Sequence, residues 1–256
     1  MNLRLDLAYD GAPFRGFARQ PGQKTVQGEL EDALTRVLGV TPTLTVAGRT
    51  DAGVHALGQV VSAADVPDDT DPTRLRDALN GMCGPSIAVH ACARAPDDFN
   101  ARFDARSRTY VYALFTGDVA DPWLARTSWH HPGPLDLDAM NEAAGHLCGS
   151  HDFSSFGRLP APDVSGERTL YELSCSATGR IVRIRARANA FIQQMVRSLV
   201  GTLVGVGGGK LAPDDMPSIL DAADRAAAGP VAPSHGLCLV SVEYEDGWSR
   251  PFDPFE

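Results

Sequence analysis

Lysine is almost missing from this chain: Lys24 and Lys210 are the only two among 23 basic residues. Genome composition and a salty cytoplasm would each produce that bias. Cysteine is sparse and scattered. Cys83, Cys92, Cys148, Cys175 and Cys238 contain no C-x-x-C pair, which argues against a thiolate zinc site and for reduced thiols in a cytoplasmic protein. Long apolar runs are absent too. The longest weakly charged stretch, residues 188–209, contains Asn189, Gln193, Gln194 and Arg197 and is too polar for a membrane span. The first residues alternate like a strand, with no basic-then-apolar signal segment. There is no G-x-S-x-G, P-loop or G-x-G-x-x-G, so the usual hydrolase and nucleotide-cofactor motifs are missing. With 43% hydrophobic and 21% charged residues, the chain is an ordinary globular sequence of 256 residues, enough for one large domain or two smaller ones.

The net charge of −9 speaks against a nucleic-acid partner, but its distribution does not. From Leu173 to Pro213 there is no Asp or Glu, while Arg180, Arg183, Arg185, Arg187, Arg197 and Lys210 all fall there. The rest of the chain carries 17 basic against 32 acidic residues. A local arginine face on an acidic body can bind phosphate while the remainder limits non-specific adhesion.

Alternation of apolar and polar residues predicts strands at 3–9, 43–47, 58–63, 87–94, 108–115, 169–175, 180–188 and 237–244. A stripe of Val26, Leu30, Leu34, Val37 and Leu38 after Thr25 predicts a capped helix. Met140, Ala143, Ala144 and Leu147, ended by Gly149, mark a second. A third runs from Phe191 through Met195, Leu199 and Leu203 to Gly207, apolar on most of its surface and therefore buried. The elements lack regular β-α-β alternation, so an α+β fold with a mainly antiparallel sheet is expected. The division is residues 1–105, a half with a glycine-flanked Asp loop; 106–247, a half with a tyrosine strand and an arginine-bearing helix; and an irregular tail, 248–256, with Trp248, Phe252 and Phe255. Segments 157–166 and 226–235 read as surface loops.

The most informative segment is Gly48-Arg49-Thr50-Asp51-Ala52-Gly53-Val54-His55. Its glycines suit a tight loop, on which Asp51 could be nucleophile, general base, metal ligand or a mere turn residue. Arg197 is the only charge between Arg187 and Lys210, mid-helix in the most apolar helix. It either snorkels to solvent or meets a buried carboxylate, Asp51 being the best candidate. Arg108, Tyr110 and Tyr112 share a strand face that could stack bases and contact phosphates, or pack as core. Arg183, Arg185 and Arg187 alternate with Val182, Ile184 and Ala186, giving three guanidinium forks on one face with no interleaved acid. His130-His131 and His151-Asp152 lack helical ligand spacing, so no metal is expected.

These residues resemble the signature of the tRNA pseudouridine synthase A family. Besides Gly48–His55, matches occur in order at Tyr9-Asp10-Gly11 with Phe14 and Gly16, Thr25-Val26-Gln27, Phe99-x-Ala101-Arg102, Arg108-x-Tyr110-x-Tyr112, Asp152-Phe153-x-Ser155-Phe156, Asn189-Ala190-Phe191 with Met195-Val196-Arg197, and Gly236-Leu237. The resemblance implies a pseudouridine synthase fold: two related α/β-sandwich halves sharing a continuous, mainly antiparallel sheet around a central active-site cleft. It implies conversion of uridine to pseudouridine at positions 38, 39 and 40 of the tRNA anticodon stem–loop, without cofactor or metal, by a cytoplasmic homodimer. It makes Asp51 the nucleophile, Arg197 its ionic partner, Tyr110 the stacking platform, Arg49 the filler of the space left by a flipped nucleotide, and Leu237 part of the apolar wall. Arg102, Arg108, Arg183, Arg185 and Arg187 are then candidate RNA contacts. Ala18, Asn100 and Met82-Cys83-Gly84-Pro85 depart from the pattern, at RNA contacts or loop shape rather than chemistry. The competing readings are a non-catalytic RNA-binding protein with the same cleft, and a metal-dependent hydrolase using Asp51 with His55 or His151.

Overall fold

Leu3, Leu5, Leu7 and Tyr9 alternate along the first strand and are all buried, while Arg4 and Asp6 point to the opposite face. The same period-two logic builds most of the sheet structure seen in the computed structural model, which describes residues 1–159, 161 and 164–249. Phe252 and Phe255 of the expected tail, and part of the 157–166 loop, lie outside the described residues. The fold is α+β, and the chain divides into two compact units. One comprises Met1–Arg108 together with the segment from Cys238; the other is Thr109–Leu237. The sequence division counted residues 237–244 with the second half; in the structure the strand they form pairs with a strand of the first unit.

The first unit contains β1 (Asn2–Tyr9), α1 (Val26–Leu38), β2 (Thr43–Val46), β3 (His55–Ala64), α2 (Pro72–Cys83) and β4 (Ile87–Ala95). The second contains most of β5 (Ser107–Phe115), then β6 (Trp129–His130), α3 (Leu137–Leu147), β7 (Gly149–Asp152), β8 (Glu167–Thr178), β9 (Ile181–Ala188), α4 (Met195–Gly207) and α5 (Met216–Asp221). β10 (Leu237–Tyr244) and β11 (Gly247–Trp248) follow. No helix among the described residues is long and apolar enough to cross a membrane.

In the first unit the strand order is β4-β1-β3-β10. β3 is antiparallel to β1 from Leu3↔Ala63 to Tyr9↔Ala56. Its other edge is shared: β2 takes Val61 to Ala64, and β10 pairs in parallel at His55 and Ala56. The loop from Ala47 to Val54 therefore leaves the sheet where one neighbour hands the edge to the next. Helices α1 and α2 bury Leu30, Leu34, Leu75 and Leu79. Thr25 caps α1 as expected, its hydroxyl accepting from Gly28 N–H at 3.2 Å. α2, which no long apolar stripe announces, starts at an Asp71 cap on Thr73 and Arg74.

In the second unit the order is β5-β9-β8-β7, with β6 parallel to β5. Helices α3 and α4 pack together, and α3 lies on β8. Met140, Ala143, Ala144 and Leu147 fill the core with Leu199, Val200 and Leu203. α4 is buried nearly all round, as its composition implies. It begins at Met195 rather than at Phe191, because Gln194 adopts a left-handed conformation (φ 66°) that stops the helix there. The 226–235 segment is not simply a surface loop: Ala232 is buried and donates its N–H to Arg197 O at 3.0 Å.

Candidate active site

Asp51 sits half-buried on the loop between β2 and β3, flanked by an exposed Arg49 and a buried Thr50. The loop's backbone and its buried threonine are tied down at several points. Ala47 N–H donates to Val60 O at 2.9 Å, Val54 N–H to Asp51 O at 3.2 Å, and Phe17 N–H to Thr50 O at 3.0 Å. Thr50 Oγ1 lies 2.8 Å from the Tyr9 hydroxyl. Gln59 Nε2 donates both to that hydroxyl (3.2 Å) and to Gly48 O (2.7 Å). Burial raises the Tyr9 phenol above its ordinary range, so it remains a neutral hydrogen-bonding hub. Gly53 turns the chain at φ 78°, and Gly16 (φ 100°) lets its segment approach so closely that a Cβ there would sit 3.1 Å from Thr50 O. The loop is thus held at several points, with Asp51 half-buried upon it. Tyr9 and Gln59, its main supports, were not singled out from sequence as site residues. Tyr9 reads as one more inward residue of an apolar strand, and Gln59 as a polar interruption in β3.

His55 follows the loop, its Nδ1 lying 3.1 Å from Gly11 N–H and 3.2 Å from Asp10 Oδ1. Among the described residues, no three His, Cys, Asp or Glu side chains are grouped as a metal site would need.

The structure turns Arg108 inward. Its side chain is buried, and its Nε and Nη2 both donate to Ala47 O (3.2 and 2.8 Å). Nη2 also donates to Arg102 O (2.6 Å) and Nη1 to Ala105 O (3.0 Å). Arg102, by contrast, is exposed, with its guanidinium 5.7 Å from the ring centroid of Phe103, itself 78% exposed.

In the second unit Tyr110 is buried to 7% exposure, its ring meeting Phe191 edge-on at 5.2 Å and 90°. Phe191 reaches it from the turn before α4, a placement that the early end of the helix makes possible. Tyr112, on the same strand face, is core: its hydroxyl donates to Pro233 O at 2.8 Å. Arg197 and Ala232 hold each other twice, since Arg197 Nε donates to Ala232 O at 2.7 Å and Ala232 N–H returns to Arg197 O. The mid-helix guanidinium therefore anchors the segment that leads to the buried Leu237.

The arginine strand needs a correction. Arg183, Arg185 and Arg187 do share the half-exposed face of β9 while Val182, Ile184 and Ala186 are buried. The face is not free of acid, however. Glu172 on β8 stands opposite Arg187 and lies 3.5 Å from Arg185 Nε and 4.0 Å from Arg187 Nε. A charge count along the chain cannot see an acid that arrives by strand pairing. Arg187 also covers the ring of Tyr171 at 5.0 Å, and Arg183 donates to Thr178 Oγ1.

An α+β chain with two units, a mounted carboxylate loop and an aromatic–arginine constellation defines a class that comparison makes specific. The family described as tRNA pseudouridine synthase matches residues 7–104 and 143–245. The curated protein named tRNA pseudouridine synthase A of Jannaschia sp. (strain CCS1) is 43% identical over 252 residues, covering 94% of this chain and 96% of that one. Those of Cereibacter sphaeroides (strain ATCC 17025) and Burkholderia mallei (strain SAVP1) are 44% and 42% identical, each covering 98% of this chain and 97% and 93% of theirs. A crystal structure of a Cbf5-Nop10-Gar1 complex aligns at a TM-score of 0.36 with 14% identity, over 79% of this chain and 45% of that chain. This chain belongs to the tRNA pseudouridine synthase family, whose members are isomerases.

Proposed function

We propose that this protein isomerises uridine to pseudouridine at positions 38, 39 and 40 of the tRNA anticodon stem–loop, with Asp51 as nucleophile. The observation that carries the reading is the mount of Asp51: a half-buried residue on a loop whose backbone carbonyls are held by Gln59, Phe17 and Arg108, with Tyr9 holding the Thr50 hydroxyl. Catalysis by a carboxylate benefits from such prior fixing, because orientation need not be established during the reaction. Full-length similarity to proteins named tRNA pseudouridine synthase A supports the substrate.

In the proposed sequence the target nucleotide leaves the stack and Arg49 takes its place. Asp51 attacks the uracil ring or the ribose anomeric carbon. The bond from N1 to C1′ breaks, the base rotates, a bond from C5 to C1′ forms, and the bond to Asp51 breaks, which returns the free carboxylate. The C5 proton departs, Tyr110 assisting its removal, and N1 gains a proton, so the product is an isomer. Arg197 keeps Asp51 ionised, Leu237 walls the base, and Arg102, Arg183, Arg185 and Arg187 contact the RNA backbone. No metal or cofactor takes part, and the enzyme acts as a cytoplasmic homodimer. The site preference is tested by moving a single uridine through positions 36 to 42 of an otherwise uridine-free stem–loop and mapping pseudouridine. Product is expected at 38, 39 and 40 alone; equal product at 36 or 42 contradicts the assignment.

A further inference from the structure

We propose that Arg108 is a positioning residue that ties the Asp51 loop to the RNA-facing turn carrying Arg102 and Phe103. The inference rests on the reading of Asp51 as nucleophile and goes beyond it. A buried guanidinium is a costly choice for a scaffold, so its acceptors are informative. Here four hydrogen bonds end on backbone carbonyls of two segments: twice on Ala47, where the Asp51 loop begins, and on Arg102 and Ala105. Carbonyl acceptors fix the path of the main chain, and the rigid fork spans both segments at once, which a lysine ammonium with three donors on one nitrogen does only in part.

The far end of this strut is itself built. Asn100 Oδ1 caps Arg102 and Phe103 N–H (3.0 and 3.1 Å), and Asp104 Oδ2 accepts from Asn100 N–H at 2.8 Å. Tyr244 donates its hydroxyl to Ala101 O at 2.7 Å, and Ala101 N–H donates to Ser62 Oγ. This braced turn presents Phe103 and the Arg102 guanidinium to solvent, a stacking plane beside a phosphate fork. Engagement of RNA by that turn is thereby relayed through one side chain to the first residue of the nucleophile loop. Arg108 consequently acts on the chemical step, not as the direct phosphate contact that its place in the sequence motif suggested.

The experiment compares wild type, Arg108→Gln, Arg108→Lys and Asp51→Asn. It measures folded fraction by circular dichroism, single-turnover pseudouridine formation per folded protein, and tRNA affinity as a function of salt. For both Arg108 variants we expect the rate per folded protein to fall, by about 100-fold for Gln and less for Lys. Affinity and its salt slope should stay at the wild-type values. A weakened affinity with the slope reduced by about 0.7–0.9 would make Arg108 a phosphate contact and overturn the proposal. So would an unchanged rate per folded protein, even with a reduced folded fraction; the milder Lys variant keeps this readable if Gln does not fold. Asp51→Asn separates the two claims: activity there removes the nucleophile reading, whereas an inactive Asp51→Asn beside fully active Arg108 variants removes only the strut.

Discussion

Replacing Tyr9 by phenylalanine would delete one oxygen and both of the contacts that join β1 to the Asp51 loop through Thr50 and Gln59. Thr50 Oγ1 loses its phenol partner in a buried setting, so we expect about 1–2 kcal/mol of lost stability, read from the urea midpoint. The rate should fall while tRNA affinity holds, since the change touches the mount and not an exposed contact. Unchanged turnover would mean that the loop keeps its geometry without Tyr9. Single residues were also where sequence reading was weakest. Asp51, Arg49, Tyr110 and Arg197 stood out because charge, glycine or strand periodicity marked them. Gln59 did not, and Tyr9 did so only as part of a matched motif with no role attached, because a support is recognised by what it touches about 40 to 50 residues away in sequence. Arg108 was legible as important, but alternation gave the face and not the acceptors.

At the scale of elements, α4 is the test of how far an apolar pattern fixes structure. Leu199 is fully buried on it, and Leu199→Ala should cost about 2–5 kcal/mol, measured by thermal or urea unfolding, with the spread set by how far the core relaxes. A loss below 1 kcal/mol would place Leu199 outside the core. The pattern located α4 and every long strand, since periods of two and 3.6 survive in single residues' burial. It missed the first turn, because nothing local says that Gln194 takes a positive φ. It also missed α2, whose apolar stripe is only Leu75, Leu79 and Cys83, and the acid opposite the arginine strand, which depends on the β8–β9 register.

The whole molecule carries −9 with its cations gathered unevenly, which suits a protein that grips a polyanion at chosen places only. Its response to alkali draws on three buried phenols, beside the thiols of Cys83, Cys92 and Cys175, which burial also raises. Tyr9, Tyr112 and Tyr244 are each raised by burial above the ordinary tyrosine range near 10. The unfolded chain releases these protons at about pH 10 while the folded chain retains them. Stability is therefore fully present below that pH and lost as pH rises, by about 1.4 kcal/mol per pH unit for each tyrosine. Urea midpoints between roughly pH 9.5 and 11 should show the decline, and Tyr112→Phe should remove about a third of the tyrosine contribution to its slope. A slope indifferent to that substitution would contradict the assignment.

The proposed chemistry turns on one carboxylate. The most direct measurement is pseudouridine formation in a tRNA anticodon stem–loop by wild type and by Asp51→Ala, in EDTA, with RNA binding measured on the same samples. The prediction is product from the wild type and none from Asp51→Ala, which still binds the RNA. Product from Asp51→Ala at the wild-type rate would contradict the account, leaving the loop a structural feature and placing the chemistry elsewhere.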